Sequence, residues 1–197
     1  MKKPDIIIAL DMVVGCFEKL GIVYYIGGSV ASSAYGIARA TMDVDLVANV
    51  EIPQVNRLVK ALEKDYYIDA EMITDAIHRR ASFNLIHLET MIKIDVFIVK
   101  DQPYDSKALA RRQPDTLDEE GSRKFYLSSP EDIILNKLLW YQMGGMVSQQ
   151  QWKDILGVLK VQGNKLDLEY LKYWASRLNI SDLLNRSFDD AAMTGST

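Results

Sequence analysis

The chain has one cysteine and two histidines among 197 residues. A lone Cys16 excludes an internal disulfide, and a zinc site of the Cys/His type lacks its ligands. The apolar helical stretch around Cys16 reads it as a small buried hydrophobe. No run reaches the ~18 apolar residues that a membrane span needs, so no membrane partner is expected. An excess of positive charge is also missing. Lys and Arg total 23 against 27 Asp and Glu, a net charge of −4. The field of the whole molecule therefore does not advertise nucleic-acid binding, although a local basic patch stays open. The opening MKKPDIIIALDMVVGCFEKL starts like a signal peptide, but Asp5 and Asp11 interrupt the apolar part and no small-residue cleavage site follows. It reads as an amphipathic helix, and the expectation is a soluble, cytoplasmic protein.

What is present is ordinary for a globular chain, with 48% hydrophobic and 25% charged residues. A chain of this length can bury a core without disulfides. Residues 5–20 read as a helix stopped by Gly21, and Ile22 to Ile26 as a strand ending at Gly27-Gly28. A short helix of small residues runs from Ser29 to Tyr35, and a strand from Val44 to Val47. Pro53 opens a helix with Val55, Leu58, Val59 and Leu62 on one face. Asp69 to His78 is weakly helical. Ala81 to Leu88 and Ile92 to Val99 read as strands joined in a hairpin. Pro103 to Arg112 reads as a helix, and the polar segment 113–124 as a loop or domain boundary. Ser129-Pro130-Glu131-Asp132 is a helix start: a serine cap, proline at the first position, acids in the first turn. Helices follow at roughly 130–142, 148–161, 167–178 and 181–192, and the tail AAMTGST is expected to fray. The expectation is a mixed α/β domain over 1–125 and a helical domain over 126–197.

Asp43 and Asp45 share a face if their segment is extended, because side chains at i and i+2 point the same way. Adjacent carboxylates repel, and a divalent cation with hard oxygen ligands relieves them. A turn or helix-capping pair has the same composition. Asp95 stands in the apolar run Ile92-Lys-Ile-Asp-Val-Phe-Ile98, where a lone carboxylate is costly unless paired or metal-bound. If the two strands are neighbours, three carboxylates converge, enough for a two-metal site. An edge charge or a satisfied salt bridge is the alternative for Asp95. Gly27-Gly28-Ser29 lies between strand and helix, where amides at a helix N-terminus and a hydroxyl suit a phosphate. An ordinary strand-to-helix turn looks alike. Neither a P-loop nor GxGxxG is matched. Arg39 and Thr41 directly precede the aspartates. Arg39 suits a phosphate or a carboxylate, or is a surface charge.

Taken together, GGS, a spacer, R-x-T-x-D-x-D and an apolar strand with a central Asp resemble the nucleotidyltransferase superfamily of DNA polymerase β type. The resemblance covers about residues 22–99. It is nearest to small bacterial nucleotidyltransferases with a helical C-terminal region, including the abortive-infection toxins. It implies an α/β (α+β) fold, a mixed sheet flanked by helices, then a C-terminal helical bundle. It implies nucleotide binding by Gly27, Gly28, Ser29, Arg39 and Thr41, and one or two Mg²⁺ ions (or Mn²⁺) on Asp43, Asp45 and Asp95. Asp95 would also be the general base. An acceptor hydroxyl would attack the α-phosphate of an NTP such as ATP, take NMP and release pyrophosphate. The toxin branch further implies Lys137 and Asp154 on two successive helices, the lysine neutralising phosphate and the aspartate orienting it or the acceptor. Lys137, amid Ile134, Leu135, Leu138 and Leu139, would keep its head group free.

The implied partners are an NTP and an acceptor that is tRNA, a protein or a small molecule, with an antitoxin or a second copy as protein partner. For tRNA, Lys107, Arg111, Arg112, Arg123 and Lys124 would form a basic surface. A non-catalytic nucleotide- or protein-binding module of the same fold, and a metal-dependent phosphohydrolase, are the competing functions. The spacing from GGS to the aspartates favours transfer over hydrolysis.

Overall fold

The computed structural model describes residues 4–117 and 123–192. The middle of the polar segment 113–124 and the end of the tail lie outside the described residues. The chain divides into two compact units, Met1–Gly27 with Ala40–Leu127, and Gly28–Arg39 with Ser128–Thr197.

The first unit holds the sheet. Its strands are β1 (Tyr24–Ile26), β2 (Asp43–Ala48), β3 (Tyr66–Tyr67), β4 (Ser82–His87), β5 (Lys93–Ile98), β6 (Gln113–Thr116) and β7 (Lys124–Leu127). They pair in the order β3-β4-β5-β2-β1-β7-β6. β4 and β5 form the expected antiparallel hairpin. β2 and β5 run parallel, which requires the long crossover between them. That crossover carries α3 (Val55–Leu62), β3, α4 (Ala70–Arg79) and β4. Alternation along β2 buries Val44, Leu46 and Ala48, and along β5 Ile94, Val96 and Ile98. The remaining positions of both strands form the other, more open face.

α1 (Asp5–Leu20) buries Ile7, Leu10, Val13, Val14 and Phe17. Tyr66 anchors β3 to it by donating its buried hydroxyl to the Ala9 carbonyl at 2.5 Å. α5 (Pro103–Ala110) starts at its proline. The segment 113–124, expected to be a loop or domain boundary, contributes β6, and β7 begins at its last residue; the two pair antiparallel, Gln113 opposite Leu127 and Thr116 opposite Lys124. β6 is polar and shows no apolar alternation because it is the last strand of the sheet, where Pro114 is tolerated and no apolar face is demanded.

The second unit is helical: α2 (Gly28–Tyr35), α6 (Pro130–Met143), α7 (Gln149–Gln162), α8 (Leu168–Arg177) and α9 (Ser181–Asp190). α6 is its central element, burying Ile133, Ile134, Leu135, Leu138 and Tyr141. Its first-turn acids are buried as well. Asp132 accepts from the Ser129 hydroxyl at 2.7 Å and the Tyr170 hydroxyl at 2.8 Å, and Glu131 from the Asp167 amide at 2.9 Å. They tie α8 to α6 besides favouring the helix N-terminus.

α2 belongs to this unit although it lies early in the sequence. It packs closely on α7 at Gly36, where an added Cβ would lie 2.8 Å from the Ser32 carbonyl and 2.9 Å from the Val158 amide. Among the described residues no helix is long and apolar enough to cross a membrane.

Candidate active site

The candidate residues fall into two groups, one in each unit. In the first unit, Asp43 and Asp45 stand on the open face of β2, as strand alternation requires. Asp45 is the register partner of Asp95 on β5, and Asp43 that of Lys93. The condition for juxtaposing the carboxylates is therefore met by the backbone. Asn84 on β4 is the partner of Asp95 on its other side.

The fourth corner of this patch is a cation. Lys93 Nζ lies 2.7 Å from Asp95 Oδ2. That hydrogen bond, opposed by burial and helped by the charges of Asp95, Asp43 and Asp45, holds the ammonium above its ordinary pKa. Asp95 thus has the ion pair that its position in an apolar strand demands. Among the described residues no three or more His, Cys, Asp or Glu side chains are gathered as a metal cage. The donor set nevertheless suits a hard cation: three carboxylates on one sheet face, already drawing in positive charge from Lys93.

Two neighbouring candidates are engaged in backbone bonds. The Gly27 N–H donates to the Asp45 carbonyl at 2.8 Å, tying the end of β1 to the carboxylate strand. The Thr41 hydroxyl donates to the Asp43 carbonyl at 3.1 Å and accepts from the Asp43 N–H at 3.4 Å, shaping the entry to β2. Of the basic residues considered for tRNA, Arg123 pairs with Asp11 at 2.6 Å and Glu18 at 3.1 Å. Arg112 lies over the Tyr126 ring, 4.7 Å from its centroid.

In the second unit Gly28 opens α2 at φ 52°, a left-handed conformation that glycine adopts without strain. Ser29 follows in the first turn, where helix amides lack intrahelical acceptors. The Ser29 hydroxyl accepts a hydrogen bond from Arg39 Nη2. Arg39 in turn grips Asp154 with two nitrogens, Nε at 3.2 Å and Nη2 at 3.3 Å. The same carboxylate accepts from Lys137 Nζ at 2.8 Å and Gln150 Nε2 at 2.8 Å.

Burial pushes the Asp154 pKa up. The bonds from Lys137 and Arg39, the Lys137 charge and the Gln150 bond outweigh it and hold the carboxyl below its usual range. The Lys137 head group, expected from the sequence to be free, is bonded. It is buried, and a second bond runs to Gln151 Oε1 at 3.0 Å. An ammonium in an apolar helical setting needs acceptors, and two successive turns of α7 supply them. Asp154 is thus a hub that fixes Arg39, and through it Ser29.

Lys93, Asn84, Gln150 and Gln151 are absent from the sequence-based set. Two of them carried a signal. Lys93 is two residues before Asp95 on the same strand face, and Gln150 is four before Asp154 on one helix face.

No family model matches the chain, and no curated protein matches its sequence. Solved structures do match in fold. ANT(2'')-Ia in complex with adenylyl-2''-tobramycin superposes with a TM-score of 0.56 at 12% identity, over 89% of this chain and 98% of that one. The solution structure of the antibiotic-resistance factor ANT(2'')-Ia gives 0.54 at 15%, covering 91% and 95%. An antigenic nucleotidyltransferase-like protein from Paracoccidioides brasiliensis gives 0.53 at 20%, covering 94% and 93%. The fold is the one these nucleotidyltransferase structures share, a mixed sheet flanked by helices with further helices at the C-terminus.

Proposed function

We propose that the protein is a nucleotidyltransferase that moves NMP from an NTP to an acceptor hydroxyl. The observation that carries this reading is the pairing of β2 with β5, which sets Asp45 opposite Asp95 with Asp43 on the same face, in a chain of nucleotidyltransferase fold. Asp43, Asp45 and Asp95 would hold Mg²⁺. A cation held there would neutralise charge on the triphosphate and its leaving group.

Asp95 accepts the proton of the acceptor hydroxyl. The hydroxyl oxygen bonds to the α-phosphorus, the α–β bridging P–O bond breaks, and pyrophosphate leaves. In the second unit, Gly28 and Ser29 at the start of α2 and the Arg39 guanidinium bind the triphosphate. Lys137 and Asp154 keep Arg39 and Ser29 in place, which is positioning rather than chemistry. Gly27 and Thr41 contribute through the backbone of β2. ANT(2'')-Ia, whose complex contains adenylyl-2''-tobramycin, makes a small-molecule hydroxyl the first acceptor to try. The local pairing of Arg123 and the net charge of −4 weigh against a tRNA footprint.

The test is incubation with α-labelled NTPs, Mg²⁺ and three acceptor pools: aminoglycosides, total tRNA and cell-lysate protein. Label should move to one pool with release of pyrophosphate. Asp43→Asn and Asp45→Asn should lower the rate at least about 10²–10³-fold, since each removes cation binding worth several kcal/mol. ATP binding without transfer to any pool would favour a non-catalytic module. Release of inorganic phosphate with no labelled product would favour a phosphohydrolase.

A further inference from the structure

We propose that Lys93 is an exchangeable counter-cation of the carboxylate patch, holding the acids together when the metal is away and giving way when it binds. This rests on the metal-binding role given above to Asp43, Asp45 and Asp95. The patch is a two-by-two array on one sheet face: Asp43 faces Lys93 and Asp45 faces Asp95. Neighbouring strands are ~4.8 Å apart, and residues i and i+2 along a strand ~6.6 Å apart. Three negative charges therefore crowd a small area, and the Lys93 ammonium lies among them.

Lys93 is bonded to Asp95 at 2.7 Å, with its side chain 43% exposed and that of Asp95 23% exposed. A half-exposed lysine on a flexible stem can swing into solvent without opening the core. A divalent cation and this ammonium compete for the same oxygens of Asp95, and the like charges repel. Lys93 thereby offsets part of the repulsion among the acids, at the cost of weaker metal binding.

Titration with Mn²⁺ alone, following free Mn²⁺ by electron paramagnetic resonance, tests this on the full chain. Lys93→Met should bind Mn²⁺ about three- to tenfold more tightly than the parent, a range expected for losing a half-exposed cation beside several anions. Lys93→Arg, which keeps the charge, should stay near the parent. The gain should shrink as salt is raised, because the repulsion is screened. Asp45→Asn marks the site by weakening Mn²⁺ binding. Equal or weaker binding by a folded Lys93→Met overturns the exchange proposal alone. Failure of both parent and Lys93→Met to bind Mn²⁺, or unchanged binding in Asp45→Asn, overturns the metal reading and this proposal with it.

Discussion

At the scale of single residues, Asp154 has the largest predicted effect on stability. It is buried and accepts hydrogen bonds from Lys137, Gln150 and Arg39, the last through two nitrogens. Asp154→Ala leaves Lys137 buried without its counter-charge, and should destabilise the second unit by about 3–5 kcal/mol. Asp154→Leu combined with Lys137→Met removes both charges and should recover much of that loss, measured by urea unfolding. Asp154 also makes stability depend on pH. Its folded pKa lies below the ordinary value, so the unfolded chain binds more protons and stability rises with pH across the window. The contribution is complete above about pH 5 and is lost as pH falls through the ordinary carboxylate value near 4 and then through the folded pKa. Asp154→Asn should therefore show a flatter fall in unfolding free energy from pH 7 to pH 3 than the parent. An equally steep fall would mean that other carboxylates carry the acid sensitivity.

At the scale of elements, Gly36 sets the distance between α2 and α7. A methyl group there would lie 2.8 Å and 2.9 Å from main-chain atoms, which cannot rotate aside. Gly36→Ala should destabilise by about 1–3 kcal/mol, read as a lower urea midpoint. Gly157→Ala should cost less, because its new methyl would meet Ile37 at 3.3 Å or more. Periodicity made most elements legible. The amphipathic helices, the β4–β5 hairpin and the start of α6 are where the apolar spacing, turn residues and cap signals place them. The acids of the candidate site were legible too, because Asp95 in an apolar strand breaks a local rule. Three things were not legible, each settled by partners distant in sequence. Polar β6 forms because β7 offers a ladder. Glu131 and Asp132 are buried because α8 brings Tyr170 and the Asp167 amide to them. Gly36 reads as a helix stop but serves as a contact point for α7.

For the whole molecule, the two compact units do not follow the order of the sequence. All seven described strands lie within residues 24–127, and their ladder partners lie in the same range. α2 differs: its buried Val30, Ala31 and Ser32 belong to the unit that α6 to α9 complete. An eight-residue helix does not persist in water without such packing. In a chain truncated after Leu127, β2 and β5 should keep slow amide exchange while residues 28–39 exchange rapidly. The loss reaches function unevenly. The truncated chain keeps Asp43, Asp45, Asp95 and Lys93 on paired strands, so its Mn²⁺ affinity should stay within about twofold of the full chain, since those charges and their register are unchanged. On the proposed role of Ser29 and Arg39, these residues, deprived of Asp154 and Lys137, would have to be ordered by the triphosphate itself. That ordering cost should weaken ATP binding about tenfold or more in calorimetry, as the loss of preorganisation does generally. Unchanged ATP affinity in the truncated chain would show that the phosphate is held by the first unit alone, and would remove Ser29 and Arg39 from the nucleotide-binding set.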